Sequence, residues 1–264
     1  FGFEEDLERK NELKAGRLPF DEPNLLKYLK KHINRNFIIS DDLHGALVKS
    51  DLVMFCVGTP SRDSGEVDLG PLIRVINAVL LVIKDDKFRV LCIKSTVPPS
   101  TTQNDIAELL RKSGREPGID IGLANNPEFL REGHAWDDFN EPDRIIIGII
   151  DKKSRVMLSR YYEPFNVNVH YVNLNTAEHI KYLSNTLLAS LISYANELSM
   201  IAHEIGDIDI MKAFHILHGD RRWSGLPAQM STYVHPGCGF GGYCLPKDTS
   251  ALVLKADEIG LDTP

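Results

Sequence analysis

Several features common in other proteins are scarce or missing here. The 264 residues hold four cysteines, Cys56, Cys92, Cys238 and Cys244, and no C-x-x-C pair. That removes the usual zinc-ribbon and thioredoxin spacings, and a chain of this length needs no disulfide staples, so the sequence points to a reducing cytosol. Cys56 and Cys92 each stand inside an apolar run and read as buried small hydrophobes. No apolar stretch reaches the length of a membrane span, and no segment reads as a signal peptide. Basic residues are outnumbered, 30 Lys and Arg against 37 Asp and Glu, for a net charge of -7. This excludes the broad basic face that nucleic-acid binding needs and leaves an anionic ligand to a few local cations and backbone N–H groups. His134, His179, His215, His218 and His235, even with Cys238, follow no standard metal-ligand spacing, so no metal is expected. There are no internal repeats and no low-complexity segments.

Short β-rich runs alternate with helical patterns. Leu52 to Val57, Arg89 to Ile93 and Ile145 to Ile150 are continuously apolar, as buried parallel strands are. Helical spacing fills 70–84 and 102–112, and strand, helix, strand at this rhythm predicts a doubly wound α/β sheet. Beyond about residue 172 the pattern becomes helical. Asn175 to Ile205 reads as one long helix, with Asn175 and Glu178 spaced like a capping box. A second helix is expected over Asp209 to His218 and a last one over Asp248 to Ile259. The domains are therefore expected at 1–172, an incomplete Rossmann-like dinucleotide-binding domain, and 173–264, an all-α domain built on a long central helix. The first is incomplete because no G-x-G-x-x-G turn occurs before residue 50, although such a turn normally seats the pyrophosphate on a helix N-terminus. The opening FGFEED reads instead as the end of a second strand, with Glu4 where a dinucleotide fold places the acid for the ribose hydroxyls.

The segment with the most chemistry is GFGGYCLPKD, Gly239 to Asp248. Its glycines allow close backbone approach and a sharp turn. Cys244 follows, with Lys247 and Asp248 at an expected helix start. A thiol beside a cation and a helix N-terminus loses its proton readily and becomes a nucleophile. Composition alone leaves open a Gly-rich turn with a buried cysteine, and leaves Asp248 open as a simple N-cap. Lys181 and Asn185 stand four apart on one helix face, as a cation and an amide aimed at one oxyanion would, or as a solvated face would.

Together with other ordered segments, GFGGYCLPKDT resembles the nucleotide-sugar 6-dehydrogenases, the UDP-glucose and GDP-mannose dehydrogenase family. The further matches are GRLPFDEPNL, Cys56-Val57-Gly58-Thr59-Pro60, Lys94-Ser95-Thr96-Val97-Pro98, Asn126-Pro127-Glu128-Phe129-Leu130-Arg131-Glu132-Gly133, Pro142-Asp143-Arg144-Ile145, and Ala177 to Asn185. They run through nearly the whole chain. The resemblance implies NAD as cofactor, bound by Glu4, Arg9, Gly58, Thr59, Thr96, Glu132 and Lys247. It implies a catalytic set of Cys244, Lys181, Asp248, Asn185, Glu128 and Thr96. Cys244 traps the aldehyde, Lys181 and Asn185 hold the developing oxyanion, Glu128 activates water, and Asp248 partners a catalytic water or lysine. For the nucleotide sugar it implies Phe129, Leu130, Arg131, Glu132, Lys181, Asn185, Tyr233, Phe240, Gly241, Gly242 and Arg222. A homodimer through the long helix is also implied, although that apolar stripe equally suits intramolecular packing. The loop before Cys244 is more like the UDP-glucose members than the GDP-mannose or N-acetyl-hexosamine ones. A non-catalytic fragment that only binds sugar nucleotide stays open, since the Gly-rich turn and the family's C-terminal domain fall outside these residues. A hydroxyacid dehydrogenase does not fit, because that class uses no nucleophilic cysteine.

Overall fold

The computed structural model of the chain describes residues 1–220, Gly237 and 239–258. Arg221, Arg222, Trp223, Ser231, Thr232, Tyr233, His235 and Cys238 lie outside the described residues. The chain divides into two compact units, Phe1–Thr59 with Leu69–Glu178, and Pro60–Asp68 with His179–Pro264. The division therefore falls after Glu178, just inside a long helix, and the loop Pro60–Asp68 groups with the helical unit.

The first unit holds helices α1 (Leu7–Lys14), α2 (Leu25–His32), α3 (Leu43–Lys49), α4 (Gly70–Val82), α5 (Ala107–Lys112), α6 (Ala135–Asn140) and α7 (Lys152–Tyr162), with a π-helical turn, Thr102–Ile106, leading into α5. Five strands, β1 (Leu52–Phe55), β2 (Val90–Ile93), β3 (Gly122–Asn125), β4 (Ile145–Ile149) and β5 (Val169–Val172), form one sheet in chain order. Three of the runs expected as strands are strands. β3 and β5 were not legible as such. The sheet departs from an all-parallel one at a single join, where β4 pairs antiparallel with β3. The opening segment contributes one parallel bridge, Gly2 to Ile39, rather than a longer strand.

The sheet is doubly wound because each face sheds its apolar side chains under different helices. One face packs Phe55, Leu91, Ile93 and Leu123 against Leu72, Ile76 and Val79 of α4 and Ile106 and Leu110. The other packs Val90, Cys92, Ala124 and Ile147 against Leu158 and Tyr162 of α7. With both faces covered, β2 and β3 are buried at every residue, which is why their runs do not alternate. At the lower edge Arg89 is 1% exposed, and its guanidinium donates to the Leu47 carbonyl and to both oxygens of Asp85. The same pairing holds the Asp85 carboxyl down at about 2.

The long helix α8 (Leu174–Ile205) starts against the sheet. Its cap is Asn173, whose Oδ1 accepts from the Thr176 N–H at 2.8 Å. The Asn175–Glu178 capping box is thus not formed: Asn175 sits inside the helix, and Glu178 turns to a different element. Gly148 of β4 makes the start possible. A Cβ there would lie 2.8 Å from the Ala177 Cβ and 2.9 Å from the Leu174 Cα.

In the second unit, α9 (Ile210–His218) is capped by Asp209, whose carboxylate accepts from the Lys212 N–H. Phe214 and Leu217 of α9 pack on Leu188, Leu191, Ala195 and Leu198 of α8. The last helix, α10, runs Cys244–Glu258, beginning four residues before the expected Asp248. Pro246 does not prevent this, because a proline in the first helical turn has no N–H bond to lose. No described helix is long and apolar enough to cross a membrane.

Gly148→Ala is expected to lower stability by about 1–3 kcal/mol, since the new methyl meets a helix backbone that can yield only by moving α8. The urea midpoint of the variant against the parent chain measures it.

Candidate active site

The parallel strands β1, β2 and β3 end level with one another, Phe55 beside Ile93 and Ile93 beside Asn125. The loops that leave their C-terminal ends therefore emerge together, the position where open α/β sheets bind ligands. The three loops are laced to one another. Ser95 Oγ donates to the Val57 carbonyl at 2.6 Å, and Thr59 Oγ1 donates to the Thr96 carbonyl at 2.7 Å. Lys94 Nζ donates to Asn126 Oδ1 at 2.9 Å, and Asn126 Nδ2 donates to the Ile146 carbonyl at 2.7 Å. The Tyr162 hydroxyl also donates to Asn126 Oδ1.

Of the residues expected to hold the cofactor, Gly58 opens onto space, with no heavy atom within 4 Å of where a Cβ would stand. Thr59 is buried and Thr96 half-buried. Glu4 stands just past the Gly2–Ile39 bridge and accepts from the Asp6 N–H, with Arg9 at 3.5 Å. Glu132 is exposed.

Glu128, expected as a base, is half-buried and accepts from the Leu130 N–H at 2.6 Å. Phe129 lies under the Arg144 guanidinium, 4.9 Å from the ring centre. The Arg131 guanidinium is turned to Asp138, an ion pair at 2.5 Å that holds the Asp138 carboxyl below its ordinary range. Trp136 is a packing residue, stacked on Tyr28 with ring centres 4.3 Å apart.

In the second unit the turn before α10 passes through Gly242 at φ +79°, a left-handed conformation that favours glycine, and delivers Cys244 as the helix's first residue. Phe240 is half-buried, and Gly241, Gly242 and Cys244 are exposed. Asp248 follows one turn later on the same helix face and is 1% exposed, so it is no N-cap. The Asn185 amide of α8 donates to Asp248 Oδ2. Lys247 is 6% exposed and directs its ammonium inward, with Nζ 2.6 Å from Asp248 Oδ1. The distance is that of an ion pair, yet neither atom makes an aligned hydrogen bond, so charge rather than direction holds the two together. The resemblance implies Lys247 as a cofactor residue, and in this structure its ammonium is buried beside Asp248. Lys181, one turn before Asn185, is 4% exposed. The Asn185–Asp248 bond thus joins α8, which also carries Lys181, to α10, which begins at Cys244.

None of Cys56, Cys92 and Cys244 forms a disulfide. Burial pushes the Cys92 thiol up to about 12, which makes it inert near neutrality. Cys56 is exposed, not buried as its apolar run suggests, because β1 ends at Phe55 and the cysteine begins the loop. Among the described residues no cluster of three or more His, Cys, Asp and Glu side chains is arranged to hold a metal ion.

The sequence reading missed Glu178 as a site-building residue. It is 2% exposed, and its two oxygens accept from the Ser100 and Thr102 N–H groups at 2.7 and 2.8 Å. Burial pushes its carboxyl up to about 7.

Residues 2–166 match the family model described as the UDP-glucose/GDP-mannose dehydrogenase family, NAD binding domain, and residues 175–264 match the central domain of the same family. The chain is 34% identical over 252 residues to a GDP-mannose 6-dehydrogenase of Pseudomonas savastanoi pv. phaseolicola, covering 94% of this chain and 56% of the relative. It is 37% identical over 250 residues to a UDP-glucose 6-dehydrogenase of Rickettsia bellii, covering 92% of this chain and 54% of the relative. Among solved structures, a UDP-glucose dehydrogenase of Pyrobaculum islandicum aligns at a TM-score of 0.88 with 32% identity, covering 98% of this chain and 59% of the other. The GDP-mannose dehydrogenase of Pseudomonas aeruginosa in a ternary complex aligns at 0.76 with 30% identity, covering 97% of this chain and 58% of the other. The chain spans a little over half the length of the curated relatives it matches.

Asp248→Ala is expected to lower stability by about 3–5 kcal/mol, because it strands a buried ammonium and a part-buried amide together. Chemical denaturation followed by far-ultraviolet circular dichroism reads the loss.

Proposed function

The chain belongs to the UDP-glucose/GDP-mannose dehydrogenase family, and from that premise we propose that it takes part in the NAD-dependent oxidation of a nucleotide sugar's C6 alcohol to the uronic acid. One observation carries the reading: an exposed Cys244 opens α10 one turn above a buried Asp248 that is bonded to Asn185, while Lys181 is buried one turn away on α8. Buried charges and amides gathered beneath one exposed thiol are costly as structure and useful as chemistry.

The cofactor fits the first unit. The level strand ends form the crevice, Gly58 leaves room for a close approach, Thr59 and Thr96 line the neighbouring loops, and Glu4 with Arg9 stands at the end of the opening segment. NAD, when bound there, supplies the acceptor for the two hydrides that a four-electron oxidation releases. The remaining work falls to side chains. Lys181 and Asn185 hold the oxygen at C6 as it gains negative charge. The Cys244 thiolate adds to the aldehyde carbon to give a thiohemiacetal, which keeps a reactive intermediate from escaping. Oxidation of that adduct leaves a thioester. Glu128 takes a proton from the attacking water, the C–S bond breaks, and the acid leaves as the thiolate re-forms. Asp248 keeps Asn185 and Lys247 in place. For the sugar nucleotide, Phe129, Leu130, Arg131, Glu132, Phe240, Gly241 and Gly242 are the candidates in the described residues. Tyr233 and Arg222 complete the set outside them.

UDP-glucose is the proposed substrate. The loop before Cys244 favours it, and so does the alignment with a UDP-glucose dehydrogenase at a TM-score of 0.88. GDP-mannose is the second reading, favoured by the 34% identity to a GDP-mannose 6-dehydrogenase. The proposed assembly is a homodimer in the cytosol. Leu183, Leu187 and Tyr194 are each at least half exposed on one stripe of α8, apart from the face that packs on α9.

Incubating the chain with NAD and each sugar nucleotide tests the reading. About two NADH per UDP-glucose are expected, Cys244→Ala is expected to form no acid, and Lys181→Ala to lower kcat by roughly 10²–10³-fold, far more than it raises KM. Normal uronate from Cys244→Ala would sink the covalent route. Light scattering of Leu187→Glu is expected to show a monomer where the parent chain is a dimer. A parent chain of monomer mass would remove the dimer.

A further inference from the structure

We infer that Glu178 is a positioning residue for the oxidation proposed above, fastening the turn that carries Thr96 to the first turn of the helix that goes on to Lys181 and Asn185. The inference rests on that functional reading for its catalytic half and on hydrogen-bond geometry for the rest.

A carboxylate that is 2% exposed is an expensive way to fill space, and a leucine or methionine would pack there at no electrostatic cost. Glu178 is also not one half of a salt bridge in the way Arg89 is. The charged group that acts on it is Asp105 of the π-helical turn, which has the same sign. Backbone holds the carboxylate instead. Each oxygen takes one N–H, Ser100 at 2.7 Å and Thr102 at 2.8 Å, and the Thr102 hydroxyl bonds to it as well. The backbone is bent to make this possible. Ser100 adopts φ +80°, which is uncommon for a residue with a Cβ, and the helix after it opens with a π turn at Thr102–Ile106. Such departures cost energy and persist only where their surroundings enforce them. Here they bring two N–H groups, two residues apart, onto one carboxylate.

The turn between β2 and the π-helical turn is therefore tied at both ends. At its start, Ser95 and Thr96 are bonded to Val57 and Thr59 after β1. At its end, Ser100 and Thr102 are bonded to Glu178. Thr96, proposed to line the cofactor crevice, belongs to the first tie and lies four residues before the second. A third segment joins them: Asn125, 1% exposed at the end of β3, places Nδ2 3.5 Å from Thr102 Oγ1, three residues before Glu128. The three stretches that lead to Thr96, Glu128 and Lys181 meet at one buried carboxyl.

Glu178→Gln keeps the shape, removes one acceptor and turns an NH2 toward a backbone N–H. With the chain as it stands, hydrogen exchange followed by mass spectrometry is expected to show the 96–106 amides about 10–100-fold less protected, the loss of one charged-group hydrogen bond. The rest of the sheet is expected to be unchanged. In the same variant kcat at pH 8 is expected to fall about tenfold or more, with KM for the sugar nucleotide within about threefold, the split that separates positioning from binding. The unmodified chain supplies a check needing no variant. Burial holds the Glu178 carboxyl up at about 7 in place, against its ordinary 4.5 once the turn opens. The closed state therefore binds the proton more tightly, so protection of 96–106 is expected to rise as pH drops through about 7. Protection of 96–106 that is the same in Glu178→Gln, or in a parent chain at pH 5 and 8, overturns the tie. Unchanged kcat in the variant of an active parent overturns the positioning role alone. A parent chain that makes no NADH from either sugar overturns the oxidation and the catalytic half of this inference, while the exchange result still decides the tie.

Discussion

The seat of the long helix on the sheet is the constraint on which the rest depends. Gly148 has no Cβ, so the first turn of α8 comes down onto β4 with Leu174 and Ala177 in direct contact with the strand. Asn173 caps that turn, and Glu178 closes it by reaching the turn after β2. A helix is stiff, rising about 1.5 Å per residue with 3.6 residues to the turn, so fixing the phase of one turn fixes the phase of those that follow. Lys181 and Asn185 are the first two functional positions after the seat. Their shared face is chosen by residues that do no chemistry.

The same economy appears in the choice of buried charge. Lys181, Lys247, Asp248 and Glu178 are all under 9% exposed, a dense set for residue types that almost never bury without a partner. Arg89 shows what a structural buried charge looks like here: a bidentate carboxylate and a carbonyl surround one guanidinium. Lys247 and Asp248 are different, close in distance but unaligned. Glu178 differs again, with like charge nearby and two backbone N–H groups and a hydroxyl as donors. Buried charge of this kind is weak evidence for stability, since replacing a whole buried pair by apolar residues of similar volume is often neutral or stabilising. Function is the better account of why they stand where they do.

How much of this was legible in the sequence depended on whether the signal was local. Three strands announced themselves as apolar runs because both sheet faces are covered. β3, with the sequence GLAN, carries a glycine and an asparagine, and β5, with VHYV, carries a histidine, so neither makes a continuous apolar run. Cys244 was expected to precede a helix starting at Asp248, and it shares a helix face with Asp248 only because the helix starts four residues earlier. Glu178 was legible only as half of a capping box, because its real partners lie 78 and 76 positions away. A short-range pattern is visible in one dimension, while a buried acceptor for two distant N–H groups is not.

The proposed nucleophile, Cys244, illustrates how local and long-range effects divide the work. Among the described cysteines, Cys92 is sealed in the sheet with its thiol near 12 and cannot ionise usefully. Cys56 begins the loop after β1, and burial pushes its thiol up from its ordinary value. Cys244 alone combines exposure with the first position of a helix of 15 residues. There the N–H groups of the opening turn lack intrahelical acceptors, and the helix dipole favours negative charge. Pro246 removes one of those donors. The glycine turn delivers the thiol to that point, and the Asn185–Asp248 bond fixes the helix that presents it. The reactivity proposed for this residue thus rests on where α10 begins.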